Sequence, residues 1–411
     1  MHRKLPLKQV VATGEVQGGR QRSPHMKEGR SVPYLRVANV FDGYIDFADL
    51  NRMPFKPKEI ETHRLKRGDI LLNEGQSVEL VGRCAMYVGG PEDCCFQNTL
   101  IRYRSGPETD TEYALQLFRY CQAIGVFSRI AVKTNSIAHL GVTRFAELEL
   151  PFPVLEEQSK IAAILRTWDE AIDRKSRVME IKKRICSCLA ETLLVVPTLE
   201  LHSNRNRSAK PLSAFTNELT ERNAANVLGR DLVMGVSNAN GIVPMRAQTI
   251  GSDLSRYKIL PPKAFAYNPM RINVGSIAMS HLDSNVLVSP DYVLFACKKD
   301  VLDPDYFDHL CNTHWWKHYI NESGSGSVRQ RIYYGDLAAL RLVIPTFEKQ
   351  KQIANCLNQA RREIELIQAQ IAVLNKQKRG LMQKLLTGQW RVNLQRKEIS
   401  KKRAVQGKER A

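Results

Sequence analysis

The amino-acid sequence predicts an α/β protein made of two α/β units in pseudo-two-fold arrangement, joined by two long antiparallel coiled-coil helices. Three observations carry that prediction. A stretch of the chain recurs without a gap 192 positions later, so that Pro153 is answered by Pro345. Each copy runs into an apolar stripe at heptad spacing, longer than a globular helix needs. Ahead of each stripe, short β-branched and aromatic runs share the chain with a helical segment, the pattern of a mixed unit. At 411 residues the chain exceeds one ordinary domain, and 43% hydrophobic content supplies more than one core.

The first unit, expected over 1–152, has strand character at Tyr34–Val40, Asp69–Leu72, Leu80–Val88 and Leu100–Tyr103. Helical character follows at Glu112–Ile124. Its exit begins the repeat: Leu148-x-Leu150-x-x-Pro153-x-x-Glu156-x-Gln158-x-x-Ile161-Ala162-x-x-Leu165 recurs as Leu340-x-Leu342-x-x-Pro345-x-x-Glu348-x-Gln350-x-x-Ile353-Ala354-x-x-Leu357. Unrelated helices do not keep one register through a strand, a proline and a helix. Weaker echoes lie upstream. Val81-Gly82 with Ala85-Met86 returns as Val274-Gly275 with Ala278-Met279, and Asp110-x-x-Tyr113 as Asp303-x-x-Tyr306.

A central helix is expected over 153–197. Its seam runs Ile161, Leu165, Trp168, Ile172, meets Lys175, drifts to Val178, Ile181 and Ile185, and resumes at Leu189 and Leu193. Pro197 disfavours helix at the residue before it. Pro197–Pro211, with Arg205, Arg207 and Lys210, reads as a basic linker. The second unit, 198–344, shows strand character at Leu232–Val236, Ser276–Ser280 and Tyr292–Ala296, and a helix over Tyr306–Asn321. The distal helix, 345–390, carries Ile353, Leu357, Ala360, Ile364, Ile367, Ile371, Leu374, Leu381 and Leu385, with Lys378 the one break. Gly388 stands where an αL cap belongs. About 40 residues at ~1.5 Å each make a rod of roughly 60 Å. Neither rod buries its stripe alone, and each is the obvious partner of the other.

Charge points to the kind of ligand. Lys and Arg number 61 against 42 Asp and Glu, a net +19 that suits a polyanion whose counterions binding would release. Part of the surplus is local: residues 391–411 read as a disordered basic tail, with seven basic and two acidic residues between Arg396 and Arg410. No apolar run approaches the ~18 residues that span a bilayer, and the start of the chain lacks a secretory h-region. Nine irregularly spaced cysteines without a C-x-x-C pair suit reduced thiols in the cytoplasm.

The duplicated entry motif resembles that of the specificity subunits of type I restriction-modification enzymes. So do Tyr267-Asn268-Pro269-Met270-Arg271-Ile272-Asn273-Val274-Gly275-Ser276 followed by Ser289-Pro290-Asp291-Tyr292, Pro33-Tyr34-Leu35-Arg36-Val37-Ala38-Asn39-Val40, and the closing Leu385-Leu386-Thr387-Gly388. The likeness covers roughly positions 5–390. It implies two target recognition domains without a catalytic site, each reading half of a bipartite double-stranded DNA target, with the antiparallel helices setting the gap. It also implies that the helices dock two methyltransferase subunits and that motor-nuclease restriction subunits join them. This chain would hold no cofactor, and S-adenosylmethionine, ATP and Mg2+ would belong to the partners. Half-sites on one face of the duplex would lie ~34 Å apart or a multiple of it. The units differ in sequence, so the target is expected to be asymmetric.

Base reading requires polar side chains in loops near strand ends, because only base-edge contacts carry sequence information. In the first unit the candidates are Arg83, Gln97, Asn98, Lys133, Asn135 and His139; in the second, Arg271, Asn273, Arg329, Gln330 and Arg331. Taken singly, each also reads as a solvated loop residue. Ser323-Gly324-Ser325-Gly326-Ser327 ahead of Val328 and the arginines would let the backbone approach phosphate, or serve as a flexible linker. It lacks the Gly-Lys-Ser/Thr of a P-loop. His309, Cys311, His314 and His318 invite a metal, but Trp315, Trp316, Tyr306 and Phe307 around them suit a packed helix. Catalytic alternatives fail on residues. Pro290-Asp291 is followed by Ala296-Cys297-Lys298 without the acid of a nuclease core, and Asn268-Pro269-Met270 is half of a methyltransferase turn. Two other readings share the architecture: the specificity subunit of a type IIB-like system, and a coiled-coil scaffold that binds no DNA.

Overall fold

The structure is a computed structural model that describes residues 5–21, 28–134, 136–195, 209–238, 240–272, 275–323 and 331–393. The chain divides into two compact units, residues 1–175 with 370–411, and residues 176–369. Each mixes sheet and helix, and each takes a part of both long helices, Leu155–Ala190 and Phe347–Leu386.

The repeat is legible in the strand order. Unit 1 holds a four-stranded antiparallel sheet in the order Gly14–Gly18, Leu100–Ser105, Ile70–Asn73, Cys84–Met86. Unit 2 repeats it as Thr216–Leu219, Val293–Cys297, Phe265–Tyr267, Ile277–Met279. A second sheet in each pairs a hairpin with one parallel strand. Asn51–Phe55 and Arg30–Leu35 take Cys95–Phe96; Gly241–Pro244 and Val233–Ser237 take Val286–Val288, which also pairs with Lys258–Leu260. Short ribbons, Leu7–Gln9 with Glu149–Pro151 and Lys210–Pro211 with Arg341–Leu342, close each unit beside its exit to a long helix.

Aromatic residues fill both cores. In unit 1 Phe118 packs edge-on to Tyr103 and Phe145, with centroids 5.0 and 5.1 Å away. Ile161 and Leu165 join that core with Met382, Leu385 and Leu386, so the sheet and both long helices share one apolar interior. In unit 2 Phe265 and Phe295 stack at 5.1 Å, Phe307 meets Trp316 at 5.3 Å, and Ile353 and Leu357 complete the cluster.

The repeated motifs have a structural reason. Asp110 caps the helix Thr111–Ala123 by accepting from the Tyr113 N–H at 2.9 Å, and Asp303 caps Pro304–Cys311 through Tyr306 in the same way. A buried glutamine of each long helix then holds the cap. Gln158 accepts from the Asp110 N–H at 2.9 Å while its amide donates to the Pro153 and Glu108 carbonyls. Gln350 does the same with Asp303, Pro345 and Val301. Each clamp seats a unit on the start of its helix.

Several expected elements are shorter than the sequence pattern. Tyr34–Val40 is a strand only to Leu35. There Asn39 takes the chain into a 3-10 turn, accepting from the Arg36 N–H and donating to the Asp46 and Asp49 carbonyls. Of Leu80–Val88 only Cys84–Met86 is strand. Gly82 sits at φ +75° with the Phe127 ring where a Cβ would be, which only glycine permits. The helix Tyr306–Asn321 is two, Pro304–Cys311 and His314–Ser323. The Thr313 hydroxyl donates to the Leu310 carbonyl and accepts from the Trp316 N–H, ending one helix and capping the next.

The seam of the first long helix needs a larger correction. Val178, Ile181 and Ile185 are exposed by 45, 57 and 52%, whereas Met179, Lys182 and Cys186 are half-buried in their place. The apolar pattern loses to polar partners: Lys175 donates to Gln370 at 2.8 Å and Lys182 to Glu363 at 2.6 Å. The helix then widens into a π-turn at Glu191–Val195, which buries Leu194 and Val195 and leaves Leu193 half-buried. The second long helix follows its expected stripe. Ile353, Leu357 and Leu385 are buried, and Ala360, Ile364, Ile367, Ile371, Leu374 and Leu381 half-buried, as are Trp168, Ile172 and Leu189 on the first. Lys378, the break, is itself buried.

Candidate nucleic-acid interface

In unit 1 the described candidates gather around one strand end, Asn73 to Gln76. The Asn73 N–H donates to the Arg83 carbonyl at 2.9 Å, and the Glu74 N–H to the Thr99 carbonyl at 2.9 Å, beside Gln97 and Asn98. The Glu74 carbonyl accepts from the Leu140 N–H at 2.8 Å, and Gly75–Gln76 pair with His139 and Ala138 of the hairpin Val132–Thr134, Ile137–His139. Lys133 and Asn98 are exposed, Gln97 half-buried. His139 Nδ1 lies 3.1 Å from Glu74 Oε2, and Gly75 allows that approach, since a Cβ there would stand 3.2 Å from the imidazole. Arg144 braces the hairpin from behind by donating to the Leu140 and His139 carbonyls. Arg83 is occupied by the fold, with its guanidinium 4.9 Å over the Phe41 ring and Nε donating to the Val40 carbonyl.

Unit 2 builds a related junction from different side chains, with a turn where unit 1 has the strand Gly75–Gln76. The turn Asn268 to Arg271 continues the strand Phe265–Tyr267, and the Pro269 carbonyl accepts from the Ile332 N–H at 3.1 Å, as Glu74 does from Leu140. Arg271 and Arg331 are both exposed beside it, and Arg331 donates to the Tyr333 hydroxyl at 3.4 Å. Asn135, Asn273, Arg329 and Gln330 lie outside the described residues, as do 324–327 and the tail from 394. Sequence reading missed Glu74, Gln76 and Tyr333. Glu74 and Gln76 carried one signal, a place just past the strand expected at Asp69–Leu72, and Tyr333 only its closeness to Arg331.

Behind these surfaces, each unit joins its capped helix to a long helix through ions. In unit 1 Arg119 donates to Asp42 at 2.7 Å and lies 3.6 Å from Asp169, which also accepts from Gln116 and from the buried Lys378 at 2.6 Å. Burial pulls the Arg119 pKa down, but the Asp42 and Asp169 carboxylates outweigh it and hold the guanidinium charged. Burial, with Arg119 nearby, lowers the Lys378 ammonium, and Asp169 opposes the shift. In unit 2 Arg361 donates to Asp308 at 3.0 Å and to His309 Nδ1 at 3.3 Å, while His309 Nε2 meets Asn358 at 2.8 Å. A polar cleft of about 650 Å³ opens there between the hairpin at Asn240, the capped helix at Asn312 and the long helix at Arg361. Among the described residues no group of His, Cys, Asp and Glu could hold a metal, and no helix is long and apolar enough to cross a membrane.

Comparison with known proteins agrees with this architecture. The family described as "Type I restriction modification DNA specificity domain" matches residues 13–183. The putative type I restriction enzyme MjaX specificity subunit of Methanocaldococcus jannaschii is 25% identical over 384 residues, 89% of this chain and 89% of the relative. The MjaVIII specificity subunit of the same organism is 21% identical over 68% of this chain and 70% of its own. Among solved structures, the type I restriction-modification S subunit from M. genitalium superposes with a TM-score of 0.52 over 93% of this chain and 96% of its own, at 13% identity. A chain from a structure concerned with complex assembly and conformational transition of the type I R-M system reaches 0.57 over 94% of this chain and all of its own, also at 13% identity. Residues 13–183 thus match the type I restriction-modification DNA specificity domain, and the chain as a whole has the sequence likeness and the fold of the type I specificity subunits.

Proposed function

We propose that this chain is the DNA-reading, non-catalytic subunit of a cytoplasmic type I restriction-modification enzyme. Each unit reads one half of a bipartite, asymmetric duplex target, and the two long helices set the gap between the halves. The observation that carries the reading is the pair of strand ends at Asn73 and Asn268, where matching backbone bonds, Leu140 to Glu74 and Ile332 to Pro269, stand beside different side chains. Related scaffolds with unlike polar displays are what two different half-sites require. Lys133, Asn98 and His139 with Glu74 are the proposed readers of the first half, and Arg271 and Arg331 of the second. An exposed arginine suits guanine O6 and N7, and a carboxylate such as Glu74 suits the cytosine amine.

The long helices also dock two methyltransferase subunits, with restriction subunits joining the assembly. Val178, Ile181 and Ile185, spaced three and four apart and exposed on a helix that already buries its other side, support such a docking face. S-adenosylmethionine, ATP and Mg2+ act in those partners. The test is methylome sequencing of the host with and without this gene. Loss of one bipartite adenine-methylation motif is expected, and an unchanged methylome overturns the reading. Duplex affinity should fall steeply with salt, whereas a scaffold that binds no DNA would show no such slope.

A further inference from the structure

The two long helices are repeat copies 192 positions apart, so each position on one has a counterpart on the other. Asp169 corresponds to Arg361, and Cys186 to Lys378. A symmetric pair would place the same contact at both counterparts. It does not. In unit 1 the helices run antiparallel, with Arg391 bridged to Glu157, Lys378 to Asp169 and Lys175 bonded to Gln370. Lys378 is only 6% exposed, so its charge depends on that carboxylate. In unit 2 the helices are again antiparallel, bridged by Lys182 and Glu363. There Arg361 turns away to Asp308 and His309, and the residue near it on the other helix is the neutral Cys186, whose thiol feels the arginine's charge.

The same register applied to like helices gives different neighbours. If two second long helices from separate copies paired, Lys378 of each would face Arg361 of the other, a like-charge contact made twice. If two first long helices paired, Asp169 would face Cys186. The Lys182–Glu363 bridge fails in the same way, because like pairing would set Lys182 against Ala171 and Glu363 against Leu374. Both ion pairs are satisfied only when unlike helices meet. We propose that Asp169–Lys378 and Lys182–Glu363 form a pairing key, which closes the chain on its own second helix and excludes assembly with a second copy through like helices. The key works as a single polar position does in a coiled coil, by penalising the wrong partner. It does not depend on what the units read.

The test uses the full chain and its mass in solution, by light scattering at low salt. Wild type is expected at the mass of one chain. In K378E the new carboxylate is repelled by Asp169 of its own chain and attracted by Arg361 of a second copy. Self-association should tighten at least tenfold and a dimer appear. K378E/R361Q, which removes the new attraction, should return to one chain. The half-buried bridge gives a second arm with less risk to folding than the buried Lys378: E363K should lower the melting temperature, and K182E/E363K should restore it. A wild-type dimer held by like helices, a K378E chain that stays monomeric, or a K182E/E363K chain no more stable than E363K would each overturn the proposal.

Discussion

The two units differ most where the capped helix meets the long helix. In unit 1 the long helix supplies the acid, Asp169, and the capped helix the base, Arg119; in unit 2 Asp308 is the acid and Arg361 the base. Arg119 reaches Asp42 and packs against Gly43, whereas its counterpart Asn312 is short and borders an open cleft. What both units keep is the glutamine clamp on the helix cap. The backbone hydrogen bonds therefore define the joint, and the charges only individualise it. That division follows from energetics. A buried amide that loses its partners costs its full desolvation, while a half-exposed ion pair is screened by water.

The comparison predicts a ranking. Q158A and Q350A should cost most, about 2–4 kcal/mol each, because several buried backbone groups lose their partners at once. Urea denaturation checks this, and clearly unequal losses would break the idea of one common clamp. R119A should cost about 2 kcal/mol through lost packing and the separated Asp42 and Asp169. N312A, at the counterpart position, should cost less than about 1 kcal/mol. Equal losses would mean that the cleft in unit 2 is no looser than the filled site in unit 1.

A smaller effect is tied to pH. His309 Nε2–H donates to Asn358 and Nδ1 accepts from Arg361, so a second proton would set N–H against N–H. Burial first, and Arg361 next, lower its pKa below 6.5. An unfolded histidine binds its proton near 6.5 while the native one does not. Stability is therefore full above about pH 6.5 and is lost as pH falls toward the native pKa. The counterpart in unit 1 is Gln116, which does not titrate. H309Q should flatten the stability profile between about pH 7 and 5, leaving the slope due to His63, which burial and Arg102 also lower. An unchanged profile would show that His309 contributes nothing. Smallest of all for the isolated chain, I181S/I185S should shift stability by no more than about 0.5 kcal/mol. The same variant should lose co-purification with the methyltransferase partner proposed above.

Much of the joint could be read before any coordinates. Asp110-x-x-Tyr113 and Asp303-x-x-Tyr306 are helix caps with their spacing written out, and Gln158 and Gln350 recur at one place in the repeat. Their task could not be read, because Gln158 reaches back 48 residues to Asp110. The candidate interface was half legible in the same sense. Polar loop residues stood out, but their convergence on Asn73–Gln76 depends on strand pairing between distant segments. Arg83 shows the cost of judging one residue at a time, since an aromatic neighbour and a carbonyl engage it within the fold.

Periodicity, caps and duplication are properties of neighbours along the chain, and they settled on their own that two mixed units and two long helices would form. Which side of the first helix is covered was beyond them. Val178, Ile181 and Ile185 have the more apolar pattern, yet Lys182 turns inward because Glu363 waits there, 181 residues away. Lys378 looks like a fault in a heptad until Asp169 is found beside it, 209 residues away. Local spacing records what a segment prefers. Only the packed structure decides which preference meets a partner, since the energy of a buried charge depends on what stands within a few ångströms of it.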